Sequence, residues 1–149
     1  MAIAQTAGTE IVRTIMLDDL DTTESVLIVG EQHHIYTVLS IIVHADAIQA
    51  DGNWVTGFIT GFDSKGGTTD SDIYLFKQDM SLAQTYVWND KFSFAGYEPT
   101  GISAPVSTAA EQTALAAQGG SVAQSLILKT ENASDAFHVT CTFIDQNNE

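Results

Sequence analysis

The chain has 149 residues, of which 44% are hydrophobic, so it is long enough and apolar enough to bury a core of its own. It carries 19 acidic residues against 5 basic ones, and this formal net charge of −14 argues against nucleic acid and anionic membranes as partners. No apolar run approaches the ~18 residues that a membrane-spanning helix needs. The first residues do not resemble a secretory signal, and the single cysteine excludes an internal disulfide.

Charged residues make up only 16% of the chain, below the ~25% of an average domain. Much of the polar surface is therefore Ser, Thr, Asn, Gln and Gly, which costs less free energy to desolvate than charged surface. This composition fits extensive packing against protein partners, and it fits a neutral, solvated surface equally well.

The first part of the chain predicts β-strands separated by turns. Residues 10–16 and 25–29 are short strand patterns, and the segment Asp18-Asp19-Leu20-Asp21 between them indicates an acidic, exposed turn. The strongest pattern is His34 to Ala45. Counting by two places Ile35, Leu39, Ile41 and Val43 on one face and Tyr36, Val38 and Ile42 on the other. Both faces of this strand are therefore expected to be at least partly covered, as in a central strand or an interface strand.

Asp51-Gly52 is typical of a hairpin turn, and residues 53–62 form the next alternating strand. Further strands are predicted over residues 72–77, 83–88 and 91–95, with Asn89-Asp90 as a two-residue turn between the last two.

The last part of the chain begins with a long connection, residues 96–123. Within it, Thr108 to Gln118 predicts at most one short helix that starts with a capping box. Residues 124–131 and 137–145 are expected to form a closing hairpin around residues 132–135. In the last strand the alternating core residues are Phe137, Val139, Cys141 and Phe143.

Together these patterns predict a mainly β fold, an antiparallel β-sandwich, with the jelly roll among the topologies that remain open. We expect a single domain over residues 1–149, because no second composition regime is present. Residues 1–9 are too polar to fold alone and are predicted to be an arm that lies on a neighbouring subunit.

No residue stands out as a catalytic, cofactor-binding or metal-binding group. His33 and His34 are adjacent on a strand and point to opposite sides, so they favour a solvated strand entrance over a shared metal. His44 and His138 are expected on polar faces. The acidic cluster Asp18, Asp19, Asp21 and Glu24 fails the EF-hand spacing, and these residues, like Asp70 and Asp72, are expected to be exposed turn residues.

Catalytic motifs for nucleophilic or phosphate chemistry are absent from the sequence. Cys141 lies on the apolar face of its strand and is expected to be buried. Asn132-Ala133-Ser134 is a glycosylation sequon that is expected to be incidental. Five aromatic residues could either form a sugar-stacking platform or belong to the core, and the core is the more frequent role: Trp54, Trp88, Tyr74, Tyr86 and Tyr97.

Three segments together resemble small virion structural proteins of tailed bacteriophages, especially head decoration (cement) proteins. These segments are Ser25 to Val29, His34 to Val43, and the ending from Ser125-Leu126-Ile127-Leu128 to Phe143-Ile144-Asp145. The resemblance implies an N-terminal arm, a β-sandwich and a last pair of strands that forms an amphipathic hairpin. Its motifs are patterns of strands and turns, so no functional residue is carried over from the family.

The resemblance further implies a protein of the virion that binds the outer face of the major capsid protein, commonly as a trimer, and stabilises the shell. Such a protein needs no cofactor and no catalytic group. The alternatives are a tail, neck or head-fibre protein, a carbohydrate-binding adhesin of similar architecture, and, less favoured, an enzyme with two converging carboxylates.

Overall fold

The structure, a computed structural model, describes residues 10–20, 24–61, 71–97, 108–116 and 123–147. These residues form nine strands and one helix. In chain order they are β1 (Glu10–Leu20), β2 (Ser25–Val29), β3 (His34–Ala47), β4 (Trp54–Gly61), β5 (Ser71–Asp79), β6 (Thr85–Trp88), β7 (Phe92–Ala95), α1 (Ala109–Ala116), β8 (Ser125–Thr130) and β9 (Ala136–Asn147).

The strands form two antiparallel sheets. The five-stranded sheet has the order β1-β9-β3-β6, with β7 also paired to β3, and the four-stranded sheet has the order β2-β8-β4-β5. The mainly β fold with antiparallel sheets is therefore confirmed. The helix is confirmed as well: it starts after Thr108, whose carbonyl oxygen accepts a hydrogen bond from Gln112 N at 3.0 Å.

The strand order is that of a jelly roll. Counting β6 and β7 as one interrupted strand, the pairs β1–β9, β2–β8, β3–β6/β7 and β4–β5 are nested inside one another. This is the pattern of one long antiparallel hairpin that has been folded over into two sheets.

The core lies between the two sheets. Each sheet contributes alternate side chains from its inner face, and the fully buried members include Val38, Ile41, Val43, Val55, Ile59, Leu126, Leu128, Phe137, Val139 and Cys141. The core face predicted for the last strand, Phe137 to Phe143, is confirmed.

The predicted closing hairpin is wrong, and so is the hairpin that the resemblance implied. β8 pairs with β2 and β4, whereas β9 pairs with β1 and β3, so the turn between them carries the chain from one sheet to the other. The Asp51-Gly52 turn also connects different sheets. Gly52 adopts a φ of +90°, which confirms a tight turn, but β3 and β4 do not pair. β3 and β4, like β8 and β9, therefore lie in different sheets although they follow each other in the chain.

The two faces predicted for β3 are also wrong, because the strand contains a β-bulge. Its register against β9 shifts between Val38 and Ser40, so Leu39 is an extra residue and the alternation restarts after it. Tyr36 and Val38 therefore share the core face with Ile41, while Ile42 is exposed on the outside. A bulge changes the parity of a strand, and counting by two cannot detect it.

The turn predicted at Asn89-Asp90 does not reverse the chain. β6 and β7 run in the same direction along one edge of β3: Trp88 pairs with Ile41 and Phe92 pairs with Val38. The edge strand has one residue more than β3 over this interval, and Lys91, with a φ of +57°, accommodates it.

The turn predicted at residues 18–21 is wrong for residues 18–20, which continue strand β1. Asp18 and Asp19 belong to β1, and Leu20 is fully buried after a register shift at the end of that strand. Asp21, residues 1–9, Asp70 and most of the 96–123 connection lie outside the described residues.

Candidate binding surfaces

The outer face of the five-stranded sheet carries rows of uncharged side chains. Residues directly opposite each other on paired strands share a face, so the register defines these rows. They are Val12–Ile144–Thr37–Ser93, Thr14–Thr142–Ser40 and Met16–Thr140–Ile42–Val87. Hydroxyl groups bridge neighbouring strands on this face, as between Thr37 Oγ1 and Ser93 Oγ at 2.9 Å.

Several of these side chains are large, apolar and open to solvent. Val12 is 66% exposed, Met16 is 60% exposed and Val87 is 50% exposed. Rows of uncharged side chains with exposed aliphatic groups are unusual in a chain of net charge −14, and they share their lack of charge with the buried centre of a protein–protein interface.

A cluster of His and Asp residues ends this face. His44 lies opposite His138 on β9, and His138 Nε2 and Nδ1 lie 3.1 Å from Asp18 Oδ1 and 3.3 Å from Asp46 Oδ2. His44 Nδ1 lies 2.7 Å from Thr85 Oγ1. The predicted placement of both histidines on a polar face is confirmed. Within the described part of the chain, no group of three or more His, Cys, Asp or Glu residues is arranged to hold a metal ion.

The outer face of the four-stranded sheet has a different character, because it is aromatic and basic. Lys77 Nζ lies 4.6 Å from the centre of the Trp54 ring, and Lys129 Nζ lies 5.7 Å from the centre of the Phe58 ring. Tyr74 packs against Phe58 at a centroid distance of 5.5 Å and is 63% exposed. These side chains border an open groove of about 480 Å³, which we call the lysine groove; it is lined by Trp54, Thr56, Tyr74, Leu75, Phe76, Lys77 and Lys129.

A third feature is a partly buried charge cluster beside β1 and β2. Asp145 is almost completely buried; its Oδ2 lies 3.1 Å from Arg13 Nε and its Oδ1 lies 2.6 Å from His34 Nδ1. His34 Nε2 lies 3.4 Å from Glu31 Oε2. Burial, with the nearby Asp145 charge as a second cause, raises the pKa of Tyr36 to about 12.

The cluster binds strand ends together and does not present a reactive group. Both nitrogens of His34 face carboxylates, so neither nitrogen is directed at a nucleophile or a substrate. The adjoining cavity is small, about 140 Å³. The prediction that His34 lies at a solvated entrance of its strand is therefore wrong. His34 is partly buried and paired with Asp145, which β9 places beside it.

Four of the five aromatic residues considered above divide between the core and an outer face. Trp88 belongs to the core and Tyr86 packs against it, in ring contact with Phe76. Trp54 and Tyr74 lie on the outer face of the four-stranded sheet. Sequence reasoning did not identify Lys77 as a partner of Trp54 or Lys129 as a partner of Phe58. Lys77 follows Tyr74 and Phe76 in its predicted strand, but the predicted strand of Lys129, residues 124–131, contains no aromatic residue, so its ring contact left no signal in the sequence.

Cys141 is fully buried, as predicted, and burial raises the pKa of its thiol to about 12. Among the described residues, no helix is long and apolar enough to span a bilayer.

Comparisons with known proteins show no family assignment, because no family model and no curated protein matches the chain. Three similar solved structures come from studies of other assemblies. A protein of Bacillus endospore appendages, which form disulfide-linked pili, has a TM-score of 0.45 at 11% identity over 100% of this chain and 97% of its own. A protein of the infectious bursal disease virus Gx strain has a TM-score of 0.41 at 9% identity over 95% of this chain and 32% of its own.

The third structure, from a virus-like particle of the extra small virus of the prawn Macrobrachium rosenbergii, has a TM-score of 0.35 at 9% identity over 100% of this chain and 86% of its own. At these scores and identities the similarity carries no functional argument. The assignment of function therefore rests on the surfaces of the molecule itself.

Proposed function

We propose that this chain is a non-enzymatic structural protein of a virion that binds the outside of a phage capsid and stabilises it as a decoration protein. The observation that supports this proposal is the uncharged outer face of the five-stranded sheet. A surface of Thr, Ser and aliphatic side chains loses little free energy on desolvation and gains from apolar burial, so it is suited to permanent contact with protein.

In this proposal the partner is the major capsid protein, and the protein acts as a homo-oligomer, a trimer, on the capsid surface. No cofactor, nucleic acid or membrane takes part. The net charge of −14 supports a location outside the shell, because an acidic surface repels the packaged genome.

The test is co-sedimentation with undecorated capsids of the phage whose genome encodes the chain. The protein is expected to sediment with the capsids, and Ile42→Lys, in the uncharged row beside Thr140 and Val87, is expected to weaken binding by about tenfold because it buries a charge. Val26→Lys is the matched control: its side chain is 43% exposed, against 39% for Ile42, but it lies on the outer face of the other sheet.

Failure of the unaltered protein to sediment with capsids contradicts the proposal. If both variants lose binding equally, the uncharged face is not the surface that binds the capsid. The second candidate, an adhesin or a tail, neck or head-fibre protein, is favoured by the exposed aromatic and basic side chains of the lysine groove.

A further inference from the structure

We infer that the lysine groove binds a carbohydrate through a single carboxylated sugar, such as a terminal uronic or sialic acid of an otherwise neutral glycan. This inference concerns the outer face of the four-stranded sheet and does not depend on capsid binding, which uses the opposite sheet.

The register places two lysines on either side of a small residue. Thr56 on β4 lies opposite Lys77 on β5 and opposite Lys129 on β8, so the three side chains form one row on the same face. The two lysine Cα atoms are therefore about 10 Å apart, two strand spacings. Thr56 is almost completely buried and its hydroxyl donates to the carbonyl oxygen of Phe76 at 2.8 Å, so it forms a closed floor between the lysines.

Aromatic rings hold the lysines in place and border the row. Lys77 lies over Trp54 and Lys129 over Phe58, so each ammonium is positioned before a ligand arrives. The ring of Tyr74 stands in the next row and is 63% exposed, which leaves it open to stack on the apolar face of a sugar ring. The groove volume of about 480 Å³ is within the usual range for small-ligand sites.

The charges around the groove select one carboxylate over many. Lys129 Nζ lies 3.9 Å from Glu24 Oε1, an exposed contact that contributes little free energy and can be exchanged for a ligand. Exposed Asp79 and Glu131 lie on either side of Trp54 in the adjoining row, and the whole chain has a charge of −14. These carboxylates would repel a polyanion, whereas a single carboxylate close to the lysines would gain more attraction than repulsion.

The two lysines together with the exposed Tyr74 ring match an acidic sugar better than an acidic peptide. Two ammonium groups alone would accept any carboxylate, including that of an acidic peptide. The exposed Tyr74 ring beside them adds a flat apolar surface that matches a pyranose ring and gives nothing to an aspartate or glutamate side chain.

The test measures binding of the full chain to matched oligosaccharides by titration calorimetry. The probes are trisaccharides with one neutral core that end in glucuronic acid, in N-acetylneuraminic acid or in glucose, together with a tri-glutamate peptide. We expect binding to at least one acidic trisaccharide and affinity lower by about tenfold for the glucose-terminated one and for the peptide.

Variants locate the site. Lys77→Gln and Lys129→Gln are each expected to weaken the acidic trisaccharide by about tenfold, and Tyr74→Ala to a similar degree. Lys91→Gln is the matched control: it removes the same charge from an exposed position on the edge of the other sheet and should bind like the unaltered protein. Thermal unfolding curves of all four variants establish that they are folded.

Several results would overturn the inference: no binding of either acidic trisaccharide, equal binding of the glucose-terminated one, equal binding of tri-glutamate, or full affinity in Lys77→Gln. None of these results affects the capsid proposal, whose test uses other residues and another partner.

Discussion

At the scale of single residues, the most buried ionisable group described above is the thiol of Cys141. It lies on the core face of β9 with no exposed surface, opposite Ile15 on β1 and Ile41 on β3. Its pKa is raised from an ordinary 9.0 to about 12, because a thiolate in this apolar layer would lose its hydration.

This shift predicts a pH dependence of stability with a defined sign. Below pH 9.0 the thiol is neutral in the folded and in the unfolded chain, so the free energy of unfolding does not change with pH through this group. Between pH 9.0 and about 12 only the unfolded chain loses the thiol proton, so the free energy of unfolding falls as the pH rises. Tyr36, raised from 10.0 to about 12, adds a second fall in the upper part of the same range. Urea unfolding of the unaltered chain and of Cys141→Ala over this pH range measures the effect.

The alanine variant should be less stable at neutral pH because it leaves a cavity, and its deficit should shrink as the pH rises, since it lacks the thiol. Tyr36 and all other groups are common to both proteins and cancel in the difference. A deficit that stays constant from neutral pH to pH 11 would show that the thiol ionises equally well in both states.

Another residue with a structural role is Asp135, which is almost completely buried at the turn between β8 and β9. Its carboxylate accepts hydrogen bonds from Gln49 N at 2.8 Å and from Asn53 Nδ2 at 2.9 Å. These bonds connect the two segments that cross between the sheets, so Asp135 positions the crossovers that turn a folded hairpin into a sandwich.

At the scale of elements, three segments meet through their backbones at one end of the sandwich. Gly30 N donates to the carbonyl oxygen of Gln124, Gln124 N donates to that of Gly96, and Gly96 N donates to that of His34, each at 2.8 Å. A Cβ atom at Gly30 would lie 1.9 Å from the oxygen of Gly96 and 2.3 Å from that of Gln124. Only a glycine at position 30 permits this approach.

Gly30→Ala is therefore expected to lower the free energy of unfolding by about 3 kcal/mol or more, because backbone atoms of two segments must separate. Gly52→Ala is the control: an added Cβ would meet nothing within 4 Å, and the positive φ of +90° accounts for a cost of about 1 kcal/mol. Chemical denaturation of both variants measures the difference. Equal losses would show that the end of the sandwich relaxes without strain.

Sequence periodicity also could not locate the irregularities within strands, and two of them change the sheet around β3. The bulge at Leu39 moves Ile41 into the core with Val38, and the extra residue at Lys91 keeps β7 on the edge of β3 after β6 ends. Both depend on the pairing partner, because a bulge is defined by two residues facing one on the neighbouring strand. A single strand pattern contains no information on its partner.

At the scale of the whole molecule, the two sheets present opposite surfaces. The outer face of the five-stranded sheet has three central rows of uncharged side chains, whereas that of the four-stranded sheet carries Lys77 and Lys129 among aromatic rings. A molecule of this kind can bind a shell with one face and leave the other exposed, which is the arrangement that the two proposals together describe.

Deletion of residues 1–9 tests the predicted arm at this scale. The sandwich should remain folded, because the hydrophobic core is built from residues 20–143, and capsid binding should weaken by about tenfold as contacts with a neighbouring subunit are lost. Thermal unfolding and co-sedimentation measure the two effects. Unchanged affinity for capsids would remove the arm from the proposed function.

The sequence by itself determined the class of the fold and much of the core. The alternation from Phe137 to Phe143 identified the buried face of β9, and Thr108 marked the start of the helix, because these signals are local: they depend on the two-residue period of a strand and on a capping residue. The low charged fraction, by contrast, fitted an interface and a neutral, solvated surface equally well.

Only the tertiary structure decided which strands pair. Turns such as Asp51-Gly52 and residues 132–135 reverse the chain in either a hairpin or a crossover between sheets, and the choice depends on the burial of both sheets together. The charge cluster of Arg13, His34 and Asp145 and the lysine groove arise from residues far apart in the chain, brought together by strand order and register. Those long-range pairings leave no periodic mark in the sequence, so the surfaces that carry both proposals became visible only in the folded molecule.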